Sequence, residues 1–340
     1  MTAAAMDYLA AIEAAAATLA PVAVRTPLLE SPLLNERIGG RLLIKAEALQ
    51  RTGSFKFRGA YNRMTHLSAE ERRRGVVAFS SGNHAQGVAA AARMLGASAV
   101  IVMPSDAPST KVADTRAWGA EVVLYDRIRE NREAIALAIA DRDGRTLIRP
   151  FDDPLVIAGQ GTVGLELVEQ AGAMGRTLDA VLVPCSGGGL CAGIALSFAA
   201  RSPKTAVFAV EPEGFDDTRR SLAEGAPATV EGGRTMCDAL TVNRPGALTF
   251  GINVRLLAGG LCVSDAAAAE AMASAFSHFK LVVEPGGAVA LAAALSPAFD
   301  GRGKTVAVIC SGGNVDKDLY CRALRGEIDA PPLDRPDISG

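Results

Sequence analysis

Apolar and polar positions along the chain fall into two registers. Short runs rich in β-branched and other apolar residues predict strands at Leu42 to Ala46, Val76 to Phe79, Ala99 to Met103, Glu121 to Tyr125, Ala180 to Pro184, Ala206 to Val210 and Thr305 to Cys310. Longer alanine-rich stretches with helical periodicity lie between them. They include His84 to Leu95, Arg129 to Ala140, Cys191 to Ala200 and Ala266 to Phe279. Strands that alternate with helices imply an α/β protein, with a mostly parallel sheet covered by helices on both faces.

The same pattern predicts a domain plan. Residues 72–149 carry a compact strand–helix–strand–helix–strand unit, expected to be a small inserted α/β domain. Residues 1–71 and 150–328 then form one larger domain, with Pro150 to Pro154 as the crossover back into it. Residues 329–340 have several prolines and glycines among few apolar positions and predict a mobile tail. The alanine-rich start predicts a helix. Asp7 and Glu13 interrupt it and no basic leader precedes it, unlike a signal peptide.

Composition narrows the function classes. The chain has 340 residues, 49% hydrophobic and 21% charged, which suits a globular protein of two domains. A formal net charge of -2 gives no reason to expect nucleic acid or an anionic membrane as partner. No continuous apolar run reaches the roughly 18 uncharged residues of a membrane span, so none is expected. The six cysteines form no Cys-x-x-Cys pair and read as reduced thiols, which fits a cytoplasmic protein.

In parallel sheets ligands bind beyond the carboxyl ends of the strands, so the loops after strands carry the information. Pro184-Cys185-Ser186-Gly187-Gly188-Gly189-Leu190 follows one strand and opens a helix. Its glycines let successive backbone N–H groups converge on an anion, and the helix dipole adds to the attraction. A plain glycine-rich turn fits the same residues. So does a dinucleotide fingerprint, Gly187-x-Gly189-x-x-Ala192, with Glu211 at the end of the next strand to hold a ribose; that reading makes the protein an NAD-dependent dehydrogenase. Ser80-Ser81-Gly82-Asn83-His84 follows a second strand and can bind a carboxylate or simply cap a helix. Cys310-Ser311-Gly312-Gly313-Asn314 follows a third, and Glu284-Pro285-Gly286-Gly287 opens another helix. Lys56 lies between Phe55 and Phe57, with Arg51 and Arg58 close by. Desolvation by the rings and repulsion from the cations would both lower its pKa and free its lone pair for an aldehyde.

Taken together and in order, Ser54 to Ala60, Ser80 to His84, Ala158-Gly159-Gln160-Gly161-Thr162, Ser186 to Gly189, Glu284-Pro285 and Ser311 to Asn314 resemble the pyridoxal-phosphate-dependent family of threonine/serine dehydratases and serine racemase. The resemblance runs from about Thr26 to Asp316 and implies the two-domain tryptophan synthase β-like fold, fold type II. It implies that Lys56 holds the cofactor as a Schiff base and moves the α-proton. Phe55 would pack on the ring, Asn83 would bond its phenolic oxygen, and Ser311 would face its pyridine nitrogen. Ser186, Gly187, Gly188 and Gly189 would cradle the phosphate, with Glu284 and Gly312 also beside the cofactor. Ser81, Gly82, Asn83 and His84 would hold the substrate carboxylate, and Ser81 matches the second acid/base of serine racemase.

The implied reaction is α,β-elimination of water from a β-hydroxy-α-amino acid, giving a 2-oxo acid and ammonia. Racemisation on the same site is the alternative. Glu211, the Phe215 carbonyl and Asp217 resemble the family's cation loop and would take magnesium, calcium or manganese; an acidic, solvated loop fits equally. A homodimer is what the family suggests. One departure concerns the substrate. Where the family has Ala-Asp-Gly, this chain has Cys237-Asp238-Ala239. Threonine or serine is then in question, and 3-hydroxyaspartate or phenylserine enters. Arg244 and Arg129 are the candidates for a second substrate carboxylate.

Overall fold

The structure is a computed structural model that describes residues 3–328; the expected tail at 329–340 lies outside the described residues. Ten strands form two sheets. They are β1 (Leu28–Glu30), β2 (Arg41–Lys45), β3 (Val76–Phe79), β4 (Ala99–Pro104), β5 (Glu121–Tyr125), β6 (Thr146–Leu147), β7 (Ala180–Pro184), β8 (Ala206–Pro212), β9 (Gly259–Val263) and β10 (Thr305–Ile309). The larger sheet has the order β1-β2-β10-β7-β8-β9 and the smaller β5-β4-β3-β6. All pairs are parallel except β1 with β2.

Each expected strand is present, with its ends moved by at most two residues. Three strands were not expected, β1, β6 and β9. The first two are only 3 and 2 residues long, and β9 begins with Gly259-Gly260. All three lie at sheet edges, where pairing to a neighbour rather than β-propensity makes the strand.

β7 is buried at every position, as a central parallel strand must be. On one face of its sheet pack helices Asp265–Phe279 and Pro285–Leu295; the second is buried all round. On the other face pack Pro154–Ala173 and Gly189–Arg201. Each fully buried Leu, Ile or Val stabilises the fold by roughly 1.5–3 kcal/mol. Ala60, Met64 and Leu67, which precede residue 72, share the core of the smaller sheet.

The Ala158–Thr162 segment is a packing device. It lies within helix Pro154–Ala173. A Cβ on Gly159 would sit 2.7 Å from the Arg58 carbonyl oxygen, and one on Gly193 would sit 2.5 Å from the Gly161 nitrogen. Backbones meet there without side chains between them. Helix Pro154–Ala173 thus touches both Lys56–Thr65 and Gly189–Arg201.

Candidate active site

Lys56 is the first residue of helix Lys56–Thr65. A 3₁₀ turn at Arg51–Gly53 delivers it, with Thr52 and Gly53 in the left-handed region at φ 65° and 72°. The Phe55 N–H donates to the Ser311 carbonyl at 3.1 Å, and Ser54 bridges Gly312, so the lysine loop is sewn to the β10 loop. The Lys56 ammonium donates to the Pro150 carbonyl at 2.8 Å and lies 5.3 Å from the Phe55 ring centroid. Burial pulls its pKa from 10.5 down to about 8.

The two arginines do not share in that shift. Arg51 donates outward to the Val22 carbonyl. Arg58 turns away into a buried network, where it donates to Glu47 at 2.9 and 2.8 Å and to Glu166 at 2.7 and 3.0 Å. Lys45 joins through Glu166 at 2.6 Å. Burial alone would lower the Arg58 pKa, but Glu47 and Glu166 outweigh it and the net direction is upward. Desolvation was the correct half of the expectation for Lys56; cation repulsion was not.

One cavity gathers Phe55, Lys56, Ser81, Asn83, His84, Ser186, Gly187, Gly188, Gly189 and Ser311. Glu284 stands behind its wall, hydrogen-bonded to Asn83. Gly312 is pressed against Glu284, and Gly82 lies against the Lys111 stem. The Gly188 φ of 88° demands glycine. The Gly187 carbonyl accepts from the Thr249 hydroxyl at 2.6 Å and the Gly188 carbonyl from Asn253 at 3.3 Å, which pins the loop. Among the described residues, the backbone N–H groups of Ser186 to Leu190 donate to no protein acceptor. Those of Ser81, Asn83, His84 and Ala85 are likewise unengaged at the start of helix Asn83–Leu95. The residues that carry these two sets of free donors, Ala85 apart, line one cavity that also holds a depressed amine. The first set matches a phosphate and the second a carboxylate.

His84 differs from the rest of its loop. Its Nε2–H donates to the Ile148 carbonyl at 3.0 Å, and burial, reinforced by the Lys56 charge, pulls its pKa down to about 3. The ring is neutral and engaged, so only its backbone N–H is available to an anion.

Arg129 and Arg244 do not line the cavity. The helix expected from Arg129 begins three residues later, as Arg132–Asp143. The reason is Asn131, whose side chain accepts from the N–H groups of Glu133 and Ala134 at 2.9 and 3.1 Å and fixes the start. Arg129 falls in the preceding turn with its side chain 85% exposed. Arg244 is exposed and donates to Thr229. Arg132 lines the cavity instead, beside Ser81 and over the Phe79 ring, and has no carboxylate partner among the described residues. Sequence reading missed it, although Asn131 before Arg-Glu-Ala was a legible cap. Lys111 also lines the cavity and was missed; no local pattern marks it.

Glu211 is fully buried, and its carboxylate accepts from the N–H groups of Thr218 and Arg219 at 2.9 and 2.8 Å. It faces the protein interior, so it cannot hold a ribose, and the dehydrogenase reading fails on that residue. Asp217 is fully buried, and neither of its carboxylate oxygens has a partner. Burial, then each other's or a neighbour's charge, pushes Glu211 up to about 8 and Asp217 up to about 7. Among the described residues no group of three or more His, Cys, Asp or Glu side chains is arranged to hold a metal.

Comparison with known proteins agrees with the cavity. Residues 19–312 match the family described as pyridoxal-phosphate dependent enzyme. The chain belongs to that family. The enzyme is 46% identical to the L-threo-3-hydroxyaspartate ammonia-lyase of a Pseudomonas species, covering 92% of this chain and 97% of that one. It is 42% identical to the L-threonine ammonia-lyase of Thermotoga maritima, covering 92% and 77%. The solved structure of maize serine racemase superposes with a TM-score of 0.87 at 37% identity, covering 94% of the enzyme and 97% of that chain. The fold is therefore fold type II, as the motifs implied. The six cysteines are unpaired, and no described helix is long and apolar enough to cross a membrane.

Proposed function

We propose that the enzyme is a dehydratase, an ammonia-lyase that removes water from a β-hydroxy-α-amino acid and releases a 2-oxo acid and ammonia. The observation that carries this reading is the single cavity shared by the depressed Lys56 amine and the two sets of unengaged N–H donors. The residues fit pyridoxal phosphate. The N–H groups of Ser186 to Gly189 would hold its phosphate, Lys56 its aldehyde carbon, Asn83 its phenolic oxygen, and the Ser311 hydroxyl its pyridine nitrogen. When bound, the cofactor supplies an aldehyde and a conjugated ring that takes up the electrons of a broken Cα–H bond.

The chain's own groups do the rest. The N–H groups of Ser81 and Asn83 to Ala85 orient the substrate carboxylate. Lys56 Nζ takes the α-proton, and its lowered pKa of about 8 leaves an appreciable share of the amine unprotonated near neutral pH. The β-hydroxyl leaves as water, and the resulting enamine hydrolyses to the 2-oxo acid. A neutral Ser311 hydroxyl does not enforce protonation of the ring nitrogen, which limits carbanion delocalisation and favours elimination over transamination. Ser81 lines the same cavity and supports racemisation as the second reading.

Arg132 favours a substrate with a second carboxylate, such as 3-hydroxyaspartate, because it is the cavity arginine without an acidic partner. Glu211, Asp217 and the Phe215 carbonyl would bind magnesium, calcium or manganese; the unpartnered Asp217 oxygens support this. A homodimer in the cytoplasm is the working form we propose, in keeping with the family and the unpaired cysteines.

The test is a panel of serine, threonine, 3-hydroxyaspartate and phenylserine stereoisomers assayed for 2-oxo acid. Lys56→Ala should lose activity by at least about a thousandfold, and borohydride should no longer fix the cofactor to the protein. Release of 2-oxo acid by none of the panel would refute the reading. Arg132→Ala should raise KM for 3-hydroxyaspartate by roughly ten- to a hundredfold while leaving serine little changed. Equal loss on both substrates would remove Arg132 from recognition.

A further inference from the structure

Lys111 belongs to none of the motifs, yet it reaches the cavity wall. It sits on helix Ser109–Ala117, beside the smaller sheet. Its partners come from the other side of the cavity. The ammonium donates to Asp238 at 2.7 Å and to Glu284 at 3.1 Å. Lys111 is 2% exposed and Glu284 1%. The lysine stem lies across Gly82, where a Cβ would collide with its Cδ.

The contacts continue inward. Glu284 Oε1 accepts from the Asn83 amide nitrogen, and Asn83 Oδ1 accepts from Asn314 at 2.8 Å. A Cβ on Gly312 would collide with Glu284 Oε1, so the carboxylate is held from behind. The Asn83 amide is thus fixed at both ends, with one N–H left for the cavity.

We propose that Lys111 is a positioning residue for the phenolic oxygen of the cofactor: it keeps Glu284 ionised, and ionised Glu284 holds the Asn83 amide nitrogen, rather than its oxygen, toward that atom. This rests on the reading of the cavity as the pyridoxal-phosphate site. An ionised carboxylate only accepts hydrogen bonds, so it selects the nitrogen of Asn83. A protonated one can donate, which permits the flipped amide and turns an oxygen toward the phenolic oxygen. Burial, the largest influence, raises the Glu284 pKa on balance, and Asp238 adds to that; Lys111 and the Asn83 hydrogen bond oppose it, so removing Lys111 pushes Glu284 further toward the protonated form. The charged groups facing Lys111 are Glu284 and Asp238; those facing Glu284 are Lys111 and Asp238.

The experiment follows the visible absorbance of the bound cofactor against pH in wild type, Lys111→Met, Lys111→Arg, Glu284→Gln and the Met/Gln double variant. Cofactor content is measured in parallel by equilibrium dialysis. Loss of the Asn83 donor makes the phenolic oxygen more basic. The absorbance midpoint should therefore rise by about one pH unit in Lys111→Met, the scale of one lost hydrogen bond. Lys111→Arg should restore it. Glu284→Gln should give the same rise, and the double variant should rise no further, because the two residues act in series. An unmoved midpoint in loaded Lys111→Met, or additive rises in the double variant, overturns the proposal. If Lys111→Met fails to fold, an unmoved midpoint in Glu284→Gln overturns it instead. Wild-type protein that binds no pyridoxal phosphate overturns the functional reading and this proposal together.

Discussion

Two clusters of buried charge sit in this molecule and could hardly be less alike. In the first, Lys45 and Arg58 meet Glu47 and Glu166, two cations against two anions, with hydrogen bonds to every member. In the second, Glu211 and Asp217 face inward with no cation beside them among the described residues, and neither Asp217 carboxylate oxygen has a hydrogen-bond partner there from another residue. The difference separates two kinds of buried charge: one cluster closes its own balance and ties elements of the fold together, and the other leaves it open, which is where we propose a cation binds.

The largest effect should come from the closed cluster. Glu47→Ala leaves the buried Arg58 guanidinium with Glu166 as its one carboxylate, shared with Lys45, and should destabilise the protein by about 3–5 kcal/mol in urea unfolding. A change below about 1 kcal/mol would mean that water or Glu166 compensates, and the cluster would not be the clamp described.

A smaller effect belongs to the open cluster. Magnesium at a hundredfold excess over its Kd should stabilise the protein by about 2.7 kcal/mol, and Asp217→Asn should abolish that response. The pH dependence has a definite sign. Both carboxyls have folded pKa values raised above their ordinary range, to about 8 and about 7. The folded state without metal therefore holds protons that the unfolded state has released, and its stability falls as pH rises toward those values. A cation displaces the protons, so its stabilisation should be greatest above about pH 8 and shrink toward acid. A response to magnesium that is flat with pH, or that survives in Asp217→Asn, would show that these acids are not its site.

Much of this was legible in the sequence, for a physical reason. Strand-end loops such as Ser80 to His84 and Ser186 to Gly189 do their work through local backbone geometry, and glycine and serine spell that geometry out. The buried amine of Lys56, marked by its flanking phenylalanines, lies in the same cavity as those loops. What stayed hidden depends on distance in space. Lys111 meets Glu284 and Asp238 only through the tertiary fold. The direction of Arg58 is set by Glu47 and Glu166, so its neighbourhood to Lys56 along the chain was misleading. Arg129 and Arg132 differ by less than one helical turn, and a single capping asparagine decides which of them reaches the cavity.

The side-chain-free crossings at Gly159 and Gly193 have a metric consequence. One rod, Pro154–Ala173, touches the helix that begins at Lys56 and the helix that begins at the proposed phosphate cradle. It acts as a caliper between amine and anion site. A single methyl group at either crossing would open the jaws, and a ligand of fixed length could then no longer reach both ends.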